Sequence, residues 1–249
     1  MKSTKSSSQV KTLDLSVVIP AYNEEKHIRA CLDSLVAQKT KHCFEVIVAD
    51  NNSTDKTAEV AKKYKDRLSI RVIKEKKKGS GAARAAGFEA AKAPIVFSTD
   101  ADTVVPPHWL ETFMKYFQND EVVAVTGPGR IDDPSRFNST VVLFFQMLGM
   151  YTYRLFMGYM WLSGFSYAVR KDAYNKAGKI DTDLPSLDDM ELATRLHKFG
   201  KITFLRDHIV FVSNRRFKGS PIVGLLSYVK PFFEIRFLKK KSIRMKDFR

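Results

Sequence analysis

Four short apolar runs alternate with segments of helical spacing through the first hundred residues, and this alternation limits the fold more than any other feature of the chain. The runs are Leu15-Ser16-Val17-Val18-Ile19, Phe44-Glu45-Val46-Ile47-Val48-Ala49, Ile70-Arg71-Val72-Ile73 and Ile95-Val96-Phe97-Ser98-Thr99. Near-continuous hydrophobicity over so few residues marks strands buried on both faces, as parallel strands are. Between them, Ile28, Cys31, Leu32, Leu35 and Val36 recur at helical spacing within 24–38. Ser53 or Thr54 can cap a helix reaching about Tyr64, and Gly79-Ser80-Gly81 opens an Ala-rich helix over 82–91. The order β-α-β-α-β-α-β requires right-handed crossovers. It predicts an α/β fold with a mostly parallel central sheet and helices on both faces.

The pattern then loosens. Pro106-Pro107 starts a helix to about Phe117, 122–125 is a strand, and 165–169 is another. Residues 188–198 form a helix whose first turn carries acids, which suit the positive end of its dipole. Residues 202–205 and 209–212 are late strands. The stretch 135–161 is strongly apolar and aromatic and reads as one helix or a helix pair, under the site or against a membrane.

In an open α/β sheet, ligands bind outside the carboxyl ends of the strands. Four polar motifs fall there. Pro20-Ala21-Tyr22-Asn23-Glu24 follows the first strand and Asp50-Asn51-Asn52-Ser53-Thr54-Asp55 the second. Lys78-Gly79-Ser80-Gly81-Ala82-Ala83-Arg84 follows the third, and Asp100-Ala101-Asp102 the fourth. A ring, acids, a glycine loop with cations and a carboxylate pair suit a nucleoside diphosphate with a divalent cation between its phosphates. Neither the P-loop pattern nor the dinucleotide glycine fingerprint follows the first strand, which disfavours ATP hydrolysis and hydride transfer by those routes. Each motif also has an ordinary reading. Asp-x-Asp, Asp50 and Asp188-Asp189 can cap turns and helices, and Arg84 on an Ala-rich helix can face solvent.

The formal net charge is +15. Nine cations and two anions lie from Lys218 onward, interleaved with Phe232, Phe233, Phe237, Leu238 and Phe248. Basic, aromatic and aliphatic residues together suit an interfacial segment as well as a solvated tail. Cys31 and Cys43 lack metal-ligand spacing and make no disulfide framework, in keeping with a reduced, cytoplasmic setting. Residues 1–14 read as a disordered tail rather than a signal peptide.

Taken in order, Val17-Val18-Ile19-Pro20-Ala21-Tyr22-Asn23-Glu24, Val48-Ala49-Asp50-Asn51-Asn52-Ser53-Thr54-Asp55, Gly79-x-x-x-x-Arg84 and Asp100-x-Asp102 resemble glycosyltransferase family 2, whose fold is GT-A. The resemblance covers about 15–205. It continues in Gly164-Phe165-Ser166-Tyr167-Ala168-Val169-Arg170 and in Leu187-Asp188-Asp189-Met190-Glu191-Leu192, where Asp188 stands for the family's usual Glu. It implies a Rossmann-like nucleotide-binding half and an acceptor half within 15–217, and the charge pattern sets off 218–249 as a basic amphipathic segment. The donor would be a UDP- or GDP-linked sugar. Pro20, Ala21, Tyr22 and Glu24 would frame the base, with Asp50 and Asn52 on the base or ribose. Gly79 and Arg84 would lie near the nucleotide. Asp100 and Ala101 would help place the ribose, and Asp102 would ligate Mn²⁺ or Mg²⁺. Asp189 would be the general base, giving inversion at the anomeric carbon. Ser213-Asn214-Arg215-Arg216-Phe217 distantly resembles the Gln-x-x-Arg-Trp motif of the family's polysaccharide synthases, which puts Arg216 within reach of the pyrophosphate. The acceptor would be a glycan, lipid or polyprenyl phosphate at the cytoplasmic face of an anionic membrane. Two alternatives stand beside this one. A nucleotidyltransferase acting on a sugar phosphate would carry a Gly-rich loop where Pro20-Ala21-Tyr22-Asn23 stands. A nucleic-acid-binding protein would owe its binding to charge alone, and no recognition motif supports nucleic acid as a partner.

Overall fold

The computed structural model describes residues 12–133, 135–184 and 187–217, with Arg216 and Phe217 described in backbone only. The expected tail lies outside the described residues up to residue 11, and the segment 218–249 lies outside them entirely.

The four apolar runs form β1 (Leu15–Ala21), β2 (Phe44–Asp50), β3 (Ile70–Lys74) and β4 (Ile95–Ser98), connected by α1 (Ile28–Val36), α2 (Thr57–Lys62) and α3 (Ser80–Ala90). There follow β5 (Thr103–Val104), α4 (Trp109–Tyr116), β6 (Val122–Thr126), β7 (Gly129–Asp132) and α5 (Arg136–Met157). The chain continues through β8 (Tyr167–Arg170), α6 (Lys171–Lys176), α7 (Asp188–Leu196), β9 (Lys201–Phe204) and β10 (Val210–Ser213), then a 3-10 turn over Asn214–Phe217.

The main sheet runs β3-β2-β1-β4-β8-β6-β9. Only β8 is antiparallel, to β4 on one side and β6 on the other, so the mostly parallel expectation holds. Alternate residues of β1 feed two cores. Val17 and Ile19 pack with Leu32, Leu35, Trp109 and Phe113 on one face, and Val18 packs with Phe88, Tyr167 and Leu192 on the other. Helix α3 lies very close to β1: a Cβ on Gly87 would fall 2.2 Å from Val18 Cγ1. Only a glycine lets the helix approach the strand so closely.

A small second sheet, β5-β10-β7, sits beside the acidic pair. β10 runs antiparallel to β5 and parallel to β7, which returns the end of the domain to the residues just after Asp102. Strands β5 and β7 were not expected, because two and four residues leave no readable period. The cap of α2 also differs from expectation. Asp55 Oδ1 accepts the Thr57 N–H, whereas Ser53 Oγ accepts the N–H of Asn23 across the rim. The apolar stretch before Trp161 is one helix, α5, ended by Gly158 at φ 83°. Trp161 lies beyond it and packs edge-on against Tyr153.

Candidate functional site

At the carboxyl ends of β1 and β2 the two loops are stitched together. Asn23 and Asn52 adopt left-handed backbone, at φ 53° and 62°, which asparagine tolerates better than most residues. Asn23 Oδ1 accepts the Thr54 N–H at 2.8 Å, and the Glu24 N–H donates to Thr57 Oγ1 at 2.7 Å. Asn51 ties in the loop after β3. Its Nδ2 donates to Glu75 O and Lys77 O, and its Oδ1 accepts the Gly79 N–H at 2.8 Å. Asn52 Nδ2 donates to Lys76 O. Gly79, at φ 136°, turns the chain into α3. Beside this lattice Asp50 is 4% exposed, and its Oδ1 is buried without a hydrogen-bond partner among the described residues. A buried carboxylate oxygen without a donor is costly, and an N–H or O–H brought by a ligand would satisfy it.

The second cluster centres on Arg84, buried at 4% exposure rather than solvent-facing. Its Nη1 donates to Asp188 Oδ2 at 2.6 Å, its Nη2 to Asp100 Oδ1 at 3.0 Å, and its Nε to Ser98 Oγ at 3.1 Å. One guanidinium thus joins the end of β4 to the start of α7. Burial alone would weaken the cation. Asp188 opposes that most strongly, with Asp100 adding to it, so Arg84 holds its proton well beyond the ordinary arginine range. Leu187, at φ 60°, introduces the helix with left-handed backbone, a strained setting for a branched side chain. Asp189 comes next. Its Oδ1 accepts the Met190 N–H at 2.9 Å, and Gly164 also donates to it through the backbone. Burial and the neighbouring Asp188 push its carboxyl up to about 7, against the pull of Arg84. A Cβ on Gly164 would stand 3.0 Å from Asp189 Oδ2 and 3.1 Å from Arg84 Nη2.

Arg215 closes the ring. Its Nη2 donates to Asp102 Oδ2 at 2.5 Å and to Glu24 Oε1 at 3.0 Å, linking the loops after β1 and β4. A cavity of about 240 Å³ opens there, lined by Asp102, His27, Asp132 and Ser213. The rim therefore gathers Ala21, Glu24, Asp50, Asn52, Gly79, Arg84, Asp100, Asp102 and Asp189 around one edge of the sheet. Two residues were missed. Asp188 anchors Arg84, and the adjacent acid pair was its only signal. Arg215 sits in the same short motif as Arg216, whose side chain lies outside the described residues.

A divalent cation suits Asp102 in one way only. Among the described residues no group of three or more His, Cys, Asp or Glu side chains could hold a metal. Magnesium-like ions are commonly bound by one or two carboxylates together with substrate phosphates and water. Asp102 fits that pattern, provided Arg215 yields its contact or shares it.

A family model, Glycosyl transferase family 2, matches residues 16–177. Chondroitin synthase of Escherichia coli is 36% identical over 124 residues, which are 49% of this chain and 18% of that protein. Glycosyltransferase AglE of Haloferax volcanii is 39% identical over 101 residues, 39% of this chain and 33% of that protein. The chain spans a minor part of the length of these relatives. TarS 1-349 of S. aureus, solved in complex with UDP-GlcNAc, superposes with a TM-score of 0.64 at 20% identity, covering 81% of this chain and 58% of that one. Mannosyltransferase PcManGT from Pyrobaculum calidifontis, in complex with GDP-Man and Mn²⁺, gives 0.64 at 23% identity, covering 79% and 56%. At these identities the structural likeness carries the fold alone, and that fold is GT-A.

Proposed function

Because this chain belongs to glycosyl transferase family 2, we propose that it moves a sugar from a nucleoside-diphosphate donor to an acceptor hydroxyl or phosphate with inversion at the anomeric carbon. The observation that carries this reading is the Arg84 bridge. It ties Asp100, on the side where a donor would lie, to the helix start that bears Asp189. Asp189 takes the proton of the acceptor hydroxyl as that oxygen attacks. A carboxyl raised to about 7 suits a general base at neutral pH, since about half of it is ionised there and that half is basic enough to accept a proton. Asp188 and Arg84 hold the helix start in register and keep a fixed positive charge beside the base. Asp50 accepts a hydrogen bond from the donor base or ribose through its buried Oδ1. Asp102 holds Mn²⁺ or Mg²⁺, whose charge would stabilise the departing diphosphate. Arg215, released from Asp102, meets the pyrophosphate oxygens, for which a guanidinium fork is suited.

The donor is UDP- or GDP-linked. The acceptor is a glycan, lipid or polyprenyl phosphate presented at the cytoplasmic face of a membrane. The aromatic surface of α5 and the basic segment from Lys218 support this placement. The test is thermal denaturation with UDP and GDP, each with and without Mn²⁺. One nucleotide raises Tm only with metal in the wild type, and Asp102→Ala abolishes the shift. A nucleotide shift independent of both metal and Asp102 overturns the metal assignment.

A further inference from the structure

Helix α7 begins at the acid pair and ends at a different cavity. That cavity measures about 400 Å³ and is lined by Tyr151 and Arg154 of α5, by Tyr159 and His197, and by Lys201 and Thr203 at the edge strand β9. Its polar groups are only partly matched: the Tyr159 hydroxyl accepts from Tyr153 and donates to Thr194 Oγ1. His197 Nδ1 and Thr203 Oγ1 are buried without hydrogen-bond partners, and neither Arg154 nor Lys201 enters an ion pair among the described residues. Tyr159 stacks on His197 at 4.0 Å and so fixes the imidazole in the wall. Two cations without an ion pair among the described residues, both at one hollow, suit a phosphate group, whose oxygens accept from both.

Tyr151 and Arg154 bring α5 to the cavity wall, and the same helix has an exposed outer face. Phe137, Phe144, Leu148, Tyr151, Leu155 and Phe156 are all exposed there, Leu155 at 81% and Phe156 at 80%. So large a row of exposed apolar side chains on one helix marks an interaction surface. The helix has no acidic residue, and its two charges, Arg136 and Arg154, are both positive. No described helix is long and apolar enough to cross a membrane. A helix with this composition is suited to lie along a bilayer surface, its apolar side chains among the acyl chains and its cations at headgroup level.

We propose that the Arg154–Lys201 cavity and the outer face of α5 together form a docking site for an anionic phospholipid bilayer, with a headgroup phosphate seated between the two cations. Charge complementarity selects this occupant. A chain of net charge +15, with cations that have no ion pair among the described residues beside an apolar face, meets both the headgroups and the acyl chains of an anionic leaflet. The cavity lies at the far end of α7 from Asp189, where His197 ends the helix. It rests on the reading that the chain works at a membrane and names the surface that makes the contact.

Flotation of the full chain with phosphatidylglycerol and phosphatidylcholine vesicles tests it. The wild type should float with phosphatidylglycerol only. Leu155→Glu/Phe156→Glu and Arg154→Glu/Lys201→Glu should each weaken flotation by about tenfold or more, with unchanged Tm. If the wild type floats and both double variants float equally well, this surface is wrong while the membrane reading survives through another segment. If the wild type floats with neither vesicle, both fall. Release by inorganic phosphate, with no dependence on Leu155 and Phe156, would reveal a site for the free anion and overturn the bilayer assignment.

Discussion

The two halves of this molecule, which we propose as donor side and acceptor side, are held by different means. Between β3 and β4 the rim loops are latched residue by residue. Asn23 holds the loop after β2, Asn51 holds the loop after β3, and α3 presses on β1 through Gly87. Beyond β8 the pattern changes. A 22-residue helix leaves its aromatic face exposed, and a cavity keeps polar atoms unmatched. The difference separates two tasks. A nucleotide pocket needs preformed donors and acceptors, which rigid loops supply. An acceptor side that receives large or surface-bound substrates gains from an open apolar face. Arg84 is a joint between the two, since it holds both the end of β4 and the start of α7.

The largest expected effect breaks catalysis without touching the donor half. Asp189→Asn should lower kcat by about 10²–10⁴-fold, the range for losing a general base, while nucleotide binding is unchanged. The pH dependence has a definite sign. Below about 7 the Asp189 carboxyl is protonated and cannot accept a proton, so kcat/KM rises with pH and levels off above that value. The variant should lose this inflection. A wild-type profile that is flat from pH 5 to 8 would assign the base elsewhere.

Next comes the joint itself. Arg84→Met leaves Asp188 buried without its cation, and breaking a buried pair from one side costs about 3–5 kcal/mol. In a chain of this size each kcal/mol lowers Tm by about 2–4 °C. The double variant Arg84→Met/Asp188→Leu should recover part of the loss, because no buried charge is then stranded. If the single variant melts like the wild type, the two halves are coupled elsewhere.

The donor half was largely legible in the sequence because its signals are local. Each apolar run of β1 to β4 is long enough to show, and each rim motif follows its strand directly. Asp50 and Asp100 could therefore be expected at the rim from their positions alone, whereas the residue pattern left Arg84 facing solvent and only the family resemblance moved it inward. The acceptor half hid its organisation in long-range pairings. Strand β10 pairs with β5 and β7 from far along the chain, which brings Arg215 to Asp102 across 113 positions. No window of sequence holds that contact. The anchoring role of Asp188 was invisible for the same reason, as its partner lies 104 residues away.

A smaller effect probes packing on the donor side. A methyl group at Gly87 would fall within 2.2 Å of Val18 Cγ1, so Gly87→Ala must push α3 off β1. Overpacking of this kind costs about 1–3 kcal/mol. Urea denaturation should show the midpoint falling with an unchanged slope. A neutral result would mean that α3 is free to slide, and that the close approach is not what positions Arg84.

The smallest effect lies on α5 and sharpens the contrast from the other side. Leu155→Ala removes a side chain that is 81% exposed, so it gives up little packing, and alanine is the better helix former. Surface changes of this kind stay within about 0.5 kcal/mol, and here the sign should be neutral or slightly stabilising. Leu32→Ala, the same change at a fully buried position beneath β1, should cost about 2–5 kcal/mol. Chemical denaturation of the two variants side by side measures the gap. If Leu155→Ala proved as costly as Leu32→Ala, the outer face of α5 would be packed against something in solution. The exposed row of aromatic side chains would then be a contact surface within the protein or between its copies, and not a face left open for a bilayer.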